Sequence, residues 1–565
     1  MVENASRLTA ELRSLAQSRP EMWRLSACGV TASERPIRAL VHVDAYAPDT
    51  PRTRVLLVAG LTGEAKDVEL TLDVLRRVAS AREGPWEQVA LSAIPCANRD
   101  GLGLGPENDA GGRPSTGYPP EGGFFSDSTN PESRYLWRWI GFQAPDLVVE
   151  LAYGEGTVWE VNEAAADFAS ALVARNLAAT DGLLAALGTG TPNGLGVVPG
   201  VRLTCSPAAA DELFERLNAE LCRRPIRPSA ARTALDARRK RSPLQVARAL
   251  AAVYGHSLEP VVYTQGVAIS GRLRLAALDG TARETAADVK ALVEGLTAQG
   301  DDAFGSPPET ASMAGVLWAD ELARATEADG DSDALLKAAR LYRSRGEGRP
   351  PWPADEDFRV EDMFFAGAVL GRAFAVTGDN THVDLLADFI VATPTQQSNG
   401  LFWHCLSAPH FWGRGNGFAA MGLAETLTYL PTDHPKRQAV LAMYRRQMEA
   451  LPEFQEQSGM YRQVLDFLGS YQEHTATCMI GYAMARGIRL GWLDSSYSAS
   501  LSRAWQAVSE RTDNAGNVVD GCAGTGVQSS LRDYLDREAI SGFDHRTGSM
   551  ALWLAVEMER LSRQG

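Results

Sequence analysis

Histidine and cysteine are scarce in this chain of 565 residues, with eight of the first and seven of the second. The cysteines, at positions 28, 96, 205, 222, 405, 478 and 522, are odd in number and form no Cys-x-x-Cys pair. Neither a disulfide framework nor a thiolate zinc site is therefore expected, and reduced thiols in a cytoplasmic protein are the simplest reading. Long apolar runs are missing too: nothing approaches the roughly 18 residues that a membrane span needs. The opening MVENASRLTAELRSLAQ is mixed and polar, without the apolar centre of a signal peptide. Positive charge is in deficit, 55 Lys and Arg against 70 Asp and Glu, for a net charge of -15. That balance argues against nucleic acid or an anionic membrane as partner, since both demand a basic footprint. It leaves room for a small acidic ligand held by one or two buried arginines.

What is present is ordinary globular composition, 45% hydrophobic and 22% charged, at a length beyond the roughly 250–300 residues of a single core. The two halves differ in period. From residue 36 to about 155, short β-branched runs (IRALVHVDAY, TRVLLVAGL, QVALSAIP, PDLVVELAY) alternate with helical stretches (VELTLDVLRRVAS, SRYLWRWIGF). Such alternation predicts a mostly parallel sheet covered by helices. A glycine- and proline-rich loop interrupts it at 101–124, and residues 155–222 read as mixed, with helices near 164–187 and 209–222. The basic ARRKRSP at 237–243 reads as a solvated linker. After Pro243 helical segments recur at 244–254, 259–276, 285–297, 309–327, 331–345, 360–377, 380–393, 415–430, 434–450, 473–487, 494–511 and 546–562. Ser242 before Pro243, Thr377-Gly378-Asp379 and Thr432-Asp433-His434-Pro435 supply boundaries. Twelve helices in six pairs predict an (α/α)6 toroid; an α-solenoid is the competing arrangement, and no fixed repeat supports it. The expected domains are 1–235, α/β, and 236–565, all-α.

The connections of the second half, VEDMFFAG (360–367), NGLFWHCLSAPHFWGRGNGF (399–418), SGMYRQVLDFLGSYQEHTATCM (458–479) and VDGCAGTG (519–526), combine aromatic, glycine and polar residues. Loops of that kind suit sugars, with rings stacking on pyranose faces and polar groups taking hydroxyls. VEDMFFAGAVLGRAFAVTGD, GLFWH, FWGRGNGFAAMGLAETLTYLP, MYRQVLDFLGSY and TATCMIGYAMARGI resemble the unsaturated rhamnogalacturonyl and glucuronyl hydrolases. These are (α/α)6 enzymes that trim the 4,5-unsaturated uronic acid left by polysaccharide lyases. The resemblance is strongest over 355–560.

It implies metal-free, cofactor-free hydration of a vinyl ether: a carboxylic acid protonates C4, water adds at C5, and the hemiketal opens to expel the aglycone. One carboxyl acts as donor and then base. It falls on Glu361 or Asp362, neighbours of which only one can face a cavity, since successive helix residues differ by about 100°. Glu361 aligns better, although the family carries Asp there, and the reading of the residues leaves both open. The other reading of both acids is a favourable interaction with a helix N-terminus. His404 is expected to bind substrate or orient water, Arg414 to clamp the uronate carboxylate with its planar fork, and Trp412 and Trp403 to stack. Asn416, Arg462, Gln463 and His474 are further substrate-binding candidates. A second acid found in relatives has no clear counterpart: Met313 stands at its place, and Glu309 fits only with a register shift. A saturated glucuronide is the alternative substrate, cleaved by two carboxylates, Glu361 or Asp362 with Asp466, Glu473 or Asp544. A uronate lyase or epimerase using His404 and His474, and a non-catalytic oligosaccharide-binding protein, are the remaining alternatives. The expected partner is a small oligosaccharide or uronide, with homo-oligomerisation open.

The front half resembles zinc carboxypeptidases. LLVAGLTGEAKDVE stands where these enzymes carry a metal-binding segment, PCANRDG resembles their Asn-Pro-Asp-Gly turn, and ESRYLWRWI with PDLVVELAYG resembles the approach to the third ligand. Thr62, Ala65 and Ala152 occupy the three ligand positions, and His42 is the only histidine before residue 256. A site of two histidines and one carboxylate cannot be assembled there. Glu64, Asp67, Asn98, Arg99, Asp100, Arg134 and the loop 101–124 are left as candidates for sugar binding or for covering the toroid mouth.

Overall fold

A computed structural model of the chain describes residues 2–81, 85–104, 114–120, 130–172, 176–191, 194–223, 226–297 and 303–564. Most of the stretch expected to be a loop at 101–124, residues 105–113 and 121–124, lies outside the described residues. The chain forms two compact units, residues 1–239 with 467–471, and 240–466 with 472–565. All seven cysteines are free thiols, and no helix among the described residues is long and apolar enough to cross a membrane.

The first unit is built on an eight-stranded sheet: β1 (Trp23–Val30), β2 (Pro36–His42), β3 (Thr53–Ala59), β4 (Val89–Ile94), β5 (Leu147–Tyr153), β6 (Val158–Val161), β7 (Leu177–Ala178) and β8 (Gly200–Cys205). Their order is β1-β2-β4-β3-β5-β8-β6-β7. β4, β3, β5 and β8 run parallel; β1 and β2 pair antiparallel, as do β2 with β4 and β6 with β8, whereas β7 runs parallel to β6. Every residue of β3 and β4 is buried, which is why these strands read as continuous apolar runs rather than alternations. The helix Ala65–Ser80, capped by the Glu64 side chain, packs its Val68, Leu72 and Leu75 into the core of this sheet. Strands β1, β6, β7 and β8 escape the sequence pattern. β1 (WRLSACGV) and β8 (GVRLTC) are broken by small and polar residues, and β6 and β7 are very short.

The second unit is a ring of helices: α1 (Pro243–Ala251), α2 (Tyr263–Asp279), α3 (Ala282–Thr297), α4 in two pieces (Thr310–Met313 and Ala319–Thr326), α5 (Asp333–Leu341), α6 (Val360–Thr377), α7 (Asn380–Ala392), α8 (Gly413–Tyr429), α9 (Arg437–Ala450), α10 (His474–Arg489), α11 (Ser498–Glu510) and α12 (His545–Ser562). Every second helix, α2, α4, α6, α8, α10 and α12, packs against the next, and α12 returns to α2. That closes an inner ring of six, the (α/α)6 toroid, with the odd-numbered helices outside. Burial separates the layers. α6 and α8 are buried around nearly their whole circumference, whereas α5 buries only Leu335, Ala338 and Ala339.

Sequence-level punctuation recurs in the structure: Ser242 and Gln245 form a capping box on α1, and Gly378 ends α6 at φ 71° before Asp379 caps α7. α4, expected as one helix over 309–327, is broken by a 3-10 turn at Ala314–Val316. There Gly266 of α2 approaches so closely that a Cβ would lie 2.6 Å from the Gly315 carbonyl oxygen. Because each inner helix is followed by an outer one running back, all six inner helices start at the same end of the ring.

Candidate active site

That shared end opens into a cavity of about 420 Å³, lined by the first turns of five inner helices. Tyr263 opens α2, Thr310 opens α4, Glu361 is the second residue of α6, Arg414 of α8 and Arg546 of α12. Phe365, Trp412 and Phe418 supply the aromatic wall, with Phe365 and Phe418 at 5.5 Å and each also packed on Tyr263. Three guanidiniums, Arg359, Arg414 and Arg546, meet two carboxylates, Glu309 and Glu361, in the lining. Helix N-termini add partial positive charge, so the site favours an anion.

Glu361 and Asp362 separate cleanly. Glu361 lines the cavity and meets His404, Oε1 to Nε2 at 3.1 Å, while its Oε2 is buried without a hydrogen-bond partner. Asp362 does not line the cavity. It is fully buried and accepts hydrogen bonds from Thr310 Oγ1 at 2.5 Å and the Asp355 amide at 2.9 Å. Its role in this geometry is to tie the entry of α6 to the start of α4.

Burial pushes the Asp362 carboxyl up to about 6, against the opposing pull of Arg359 and Thr310. Burial also acts to raise Glu361, but His404 and Arg359 outweigh it and hold Glu361 below the ordinary glutamate value. The pKa nearer neutrality thus belongs to the acid outside the cavity lining, while the acid that lines it, Glu361, is held in the ionised range.

His404 is fully buried in a chain of contacts. Its Nδ1 lies 2.5 Å from the Tyr534 hydroxyl, and its ring packs on Trp412 at 4.5 Å. Burial keeps the Tyr534 phenol protonated far above neutrality. Its O–H therefore donates to Nδ1, which leaves Nε2–H to face Glu361. Tyr534 comes from a short helix, Leu531–Leu535, and nothing in the sequence around it marked the partnership.

The other sequence candidates divide. Trp412 lines the cavity and lies under the Arg414 guanidinium at 4.8 Å. Arg414 also lines it, but its terminal nitrogens donate to the carbonyls of Cys522 at 2.5 Å and Ala523 at 2.9 Å. Its fork grips the 522–523 backbone, so the open carboxylate clamp expected from sequence is not what the geometry displays.

Asn416 holds the Phe402 backbone from both sides and the Trp412 carbonyl as well, which occupies its amide. Trp403 is half-buried and outside the cavity lining. Arg462 pairs with Glu456 and donates to the Leu465 carbonyl at 2.8 Å; Gln463 donates to the Tyr534 carbonyl at 3.1 Å. His474 is buried against the Val519 carbonyl at 2.9 Å, and burial pulls its pKa down to about 4. None of these five lines the cavity.

Among the suggested second acids, Glu473 and Asp544 cap α10 and α12, and Asp466 is exposed away from the cavity. Met313 is buried, whereas Glu309 stands exposed in the cavity wall. Arg359, Arg546 and Tyr263, not singled out from the sequence, also belong to the lining. Arg546 Nε donates to the Tyr263 hydroxyl at 3.1 Å, which joins two helices some 280 positions apart in sequence. Only the closed ring reveals that pair.

Residues 405–562 match the model of Glycosyl Hydrolase Family 88. The matched stretch carries Trp412, Arg414, Tyr534 and Arg546 but begins just after His404. The chain is 29% identical over 124 residues to the unsaturated rhamnogalacturonyl hydrolase YesR of Bacillus subtilis, covering 22% of this chain and 34% of that protein. It is 35% identical over 105 residues to protein Atu3128 of Agrobacterium fabrum, 18% of this chain and 45% of that one. The chain thus spans about a third to under a half of the length of these curated relatives. Among solved structures, a possible GH105 member from Klebsiella pneumoniae aligns with TM-score 0.48 and 19% identity, over 61% of this chain and 97% of that one. The unsaturated glucuronyl hydrolase of Bacillus sp. GL1 aligns with TM-score 0.44 and 14% identity, over 56% and 95%.

In the first unit, Thr62 and Ala152 line a cavity of about 240 Å³ at the carboxyl ends of β3 and β5, together with Asp67, Glu150 and Arg202. Ala65 begins the following helix. Arg202 binds Glu150 through two nitrogens, at 2.7 and 3.2 Å. Glu64 caps a helix, and Asp67, Asn98 and Asp100 accept backbone N–H groups. Arg99 donates to the Pro36 carbonyl and Arg134 is buried. Among the described residues no group of three or more His, Cys, Asp and Glu is arranged to hold a metal ion.

Proposed function

We propose that the second unit is a glycoside hydrolase that removes a 4,5-unsaturated uronic acid from the end of a small oligosaccharide by hydration. The observation that carries this reading is the position of Glu361, inside an aromatic, arginine-rich cavity and hydrogen-bonded to His404, while Asp362 is withdrawn from it. Glu361 is the acid that delivers a proton to C4 of the vinyl ether. As a carboxylate it then takes a proton from the water that adds at C5, which restores the acid. The C5 hemiketal opens, and the aglycone leaves from C1. His404, fixed by Tyr534, orients Glu361 and stabilises its ionised form after the first transfer. Arg546 and Arg359 attract the uronate carboxylate, and Trp412 and Phe365 face the ring. Glu309 at the rim takes hydroxyls.

The matched family and the names of the relatives agree with this chemistry. The first unit reads as a peptidase-like domain without its zinc ligands, contributing no chemical step. The free thiols suit a protein acting in the cytoplasm.

Hydration needs the ring double bond, whereas ordinary hydrolysis of a glucuronide does not. A Δ4,5-unsaturated disaccharide digested in D2O should yield the 4-deoxy-5-keto uronate carrying one deuterium at C4, read by mass spectrometry. Turnover of p-nitrophenyl glucuronide with no action on the unsaturated sugar would assign the saturated-glucuronide alternative instead.

A further inference from the structure

The far end of the ring, where the inner helices terminate, holds a second cavity of about 600 Å³. Arg274 of α2, Arg324 of α4, Arg486 and Arg489 of α10 and Arg560 of α12 line it, and Glu321 is the one acidic side chain among its lining residues. Three further carboxylates and one more arginine stand directly behind. Asp320 pairs with Arg324 at 2.8 Å and Arg372 at 3.3 Å. Glu425 pairs with Arg372 at 2.7 Å and Arg486 at 2.6 Å. Glu321 pairs with Arg274 at 2.6 Å. Glu557 serves Arg489 at 2.6 Å and Arg486 at 3.4 Å, and stands 3.8 Å from Arg560. Six guanidiniums therefore share four carboxylates.

The surplus is concentrated on Arg560. It makes no hydrogen bond to any described residue, and its side chain is only 27% exposed. Burial and the neighbouring Arg274 guanidinium both disfavour its charge, and Glu557 only partly compensates. Helix C-termini attract cations, which accounts for arginines gathering at this end. It does not account for an open volume facing a half-buried guanidinium whose nearest carboxylate, Glu557, stands at 3.8 Å, beyond hydrogen-bond reach, because partial burial of a charge is costly unless it is closely paired.

We propose that this cavity binds a small oxyanion-bearing molecule, a phosphate, sulfate or carboxylate, through Arg560 with Arg489 and Arg324 at its rim. The ligand completes the hydrogen bonding of Arg560 and neutralises the excess charge. A planar guanidinium fork matches such oxygens bidentately. The site lies at the opposite end of the ring from Glu361 and does not depend on the reaction assigned there.

The test is thermal unfolding of the full chain with inorganic phosphate against sodium chloride at matched ionic strength. Phosphate near 20 mM should raise the Tm by about 3 °C, and this rise should persist in Arg546→Gln, which alters the cavity that holds Glu361. It should disappear in Arg560→Gln and shrink in Arg324→Gln, an exposed position whose partner Asp320 keeps its pairing with Arg372. Acetate and sulfate in place of phosphate then rank the oxyanions. No phosphate-specific rise, a rise undiminished in Arg324→Gln and in any folded Arg560→Gln protein, or a rise abolished by Arg546→Gln alone would each overturn the proposal.

Discussion

Glu361 and Asp362 sit side by side on the first turn of α6, and the rotation between adjacent helix positions gives them different surroundings. Asp362 faces inward to Thr310 and the Asp355 amide, where burial favours its protonated form. The folded state therefore holds a proton on Asp362 that the unfolded chain, titrating near 3.9, has already released. Its contribution to stability is complete below about pH 4 and is lost as pH rises to about 6. The difference in unfolding free energy between the wild type and Asp362→Asn should fall by about 3 kcal/mol across that window, measured by urea titration at several pH values. His404 is what holds Glu361 below its ordinary value. His404→Ala should move the carboxyl limb of the kcat/KM profile to higher pH, alongside a loss of rate. Arg546→Gln should raise KM for an unsaturated uronide about tenfold or more with a smaller change in kcat, as expected for a lost charge-assisted contact. The pair of acids was legible in VEDMFF, but its orientation was not, because sequence gives spacing and the packing of α6 gives the angle.

The elements are held by how closely the inner helices meet. Gly422 of α8 lies against α6, where an added Cβ would stand 2.6 Å from the Met363 carbonyl carbon. The neighbour is backbone and cannot swing aside. Gly422→Ala should therefore destabilise the ring by about 1–3 kcal/mol, seen as a lower urea midpoint with an unchanged slope. Helical periodicity and caps revealed the twelve segments because each inner helix carries a long apolar stretch. Boundaries slipped where the chain does something non-helical before the first turn. α9 was expected from residue 434 but starts at Arg437, since Pro435 lies in a turn rather than in the helix. In the sheet, strands with β-branched runs were readable, whereas β1 and β8, interrupted by Ser, Gly, Arg and Thr, were not.

At the scale of the molecule, the second unit separates its charges by depth. The inner helices begin at a cavity holding Glu361, Arg414 and Arg546 and end at one ringed by arginines. The first turns of α6 and α10 hold buried titratable groups with opposite leanings. His474 titrates near 4 when folded and near 6.5 when unfolded, so it stabilises the fold above about pH 6.5 and loses that contribution as pH falls to about 4. Asp362 works in the reverse sense over nearly the same interval. His474→Gln should accordingly make the slope of unfolding free energy against pH more negative than that of the wild type between about 4 and 6.5, measured by urea titration at several pH values. Such pairings across the ring, like Arg546 with Tyr263, come from topology and lie beyond local pattern.

The proposed hydration depends on Glu361 as the proton donor in the cavity it lines. Its most direct test is the fall in absorbance at 235 nm of a Δ4,5-unsaturated disaccharide mixed with wild type, Glu361→Gln and Asp362→Asn proteins of equal purity and foldedness. The expected result is a clear decay with wild type, a rate reduced about 10³-fold by Glu361→Gln, and a rate within about tenfold of wild type for Asp362→Asn. Loss of turnover in Asp362→Asn with activity retained by Glu361→Gln would contradict it.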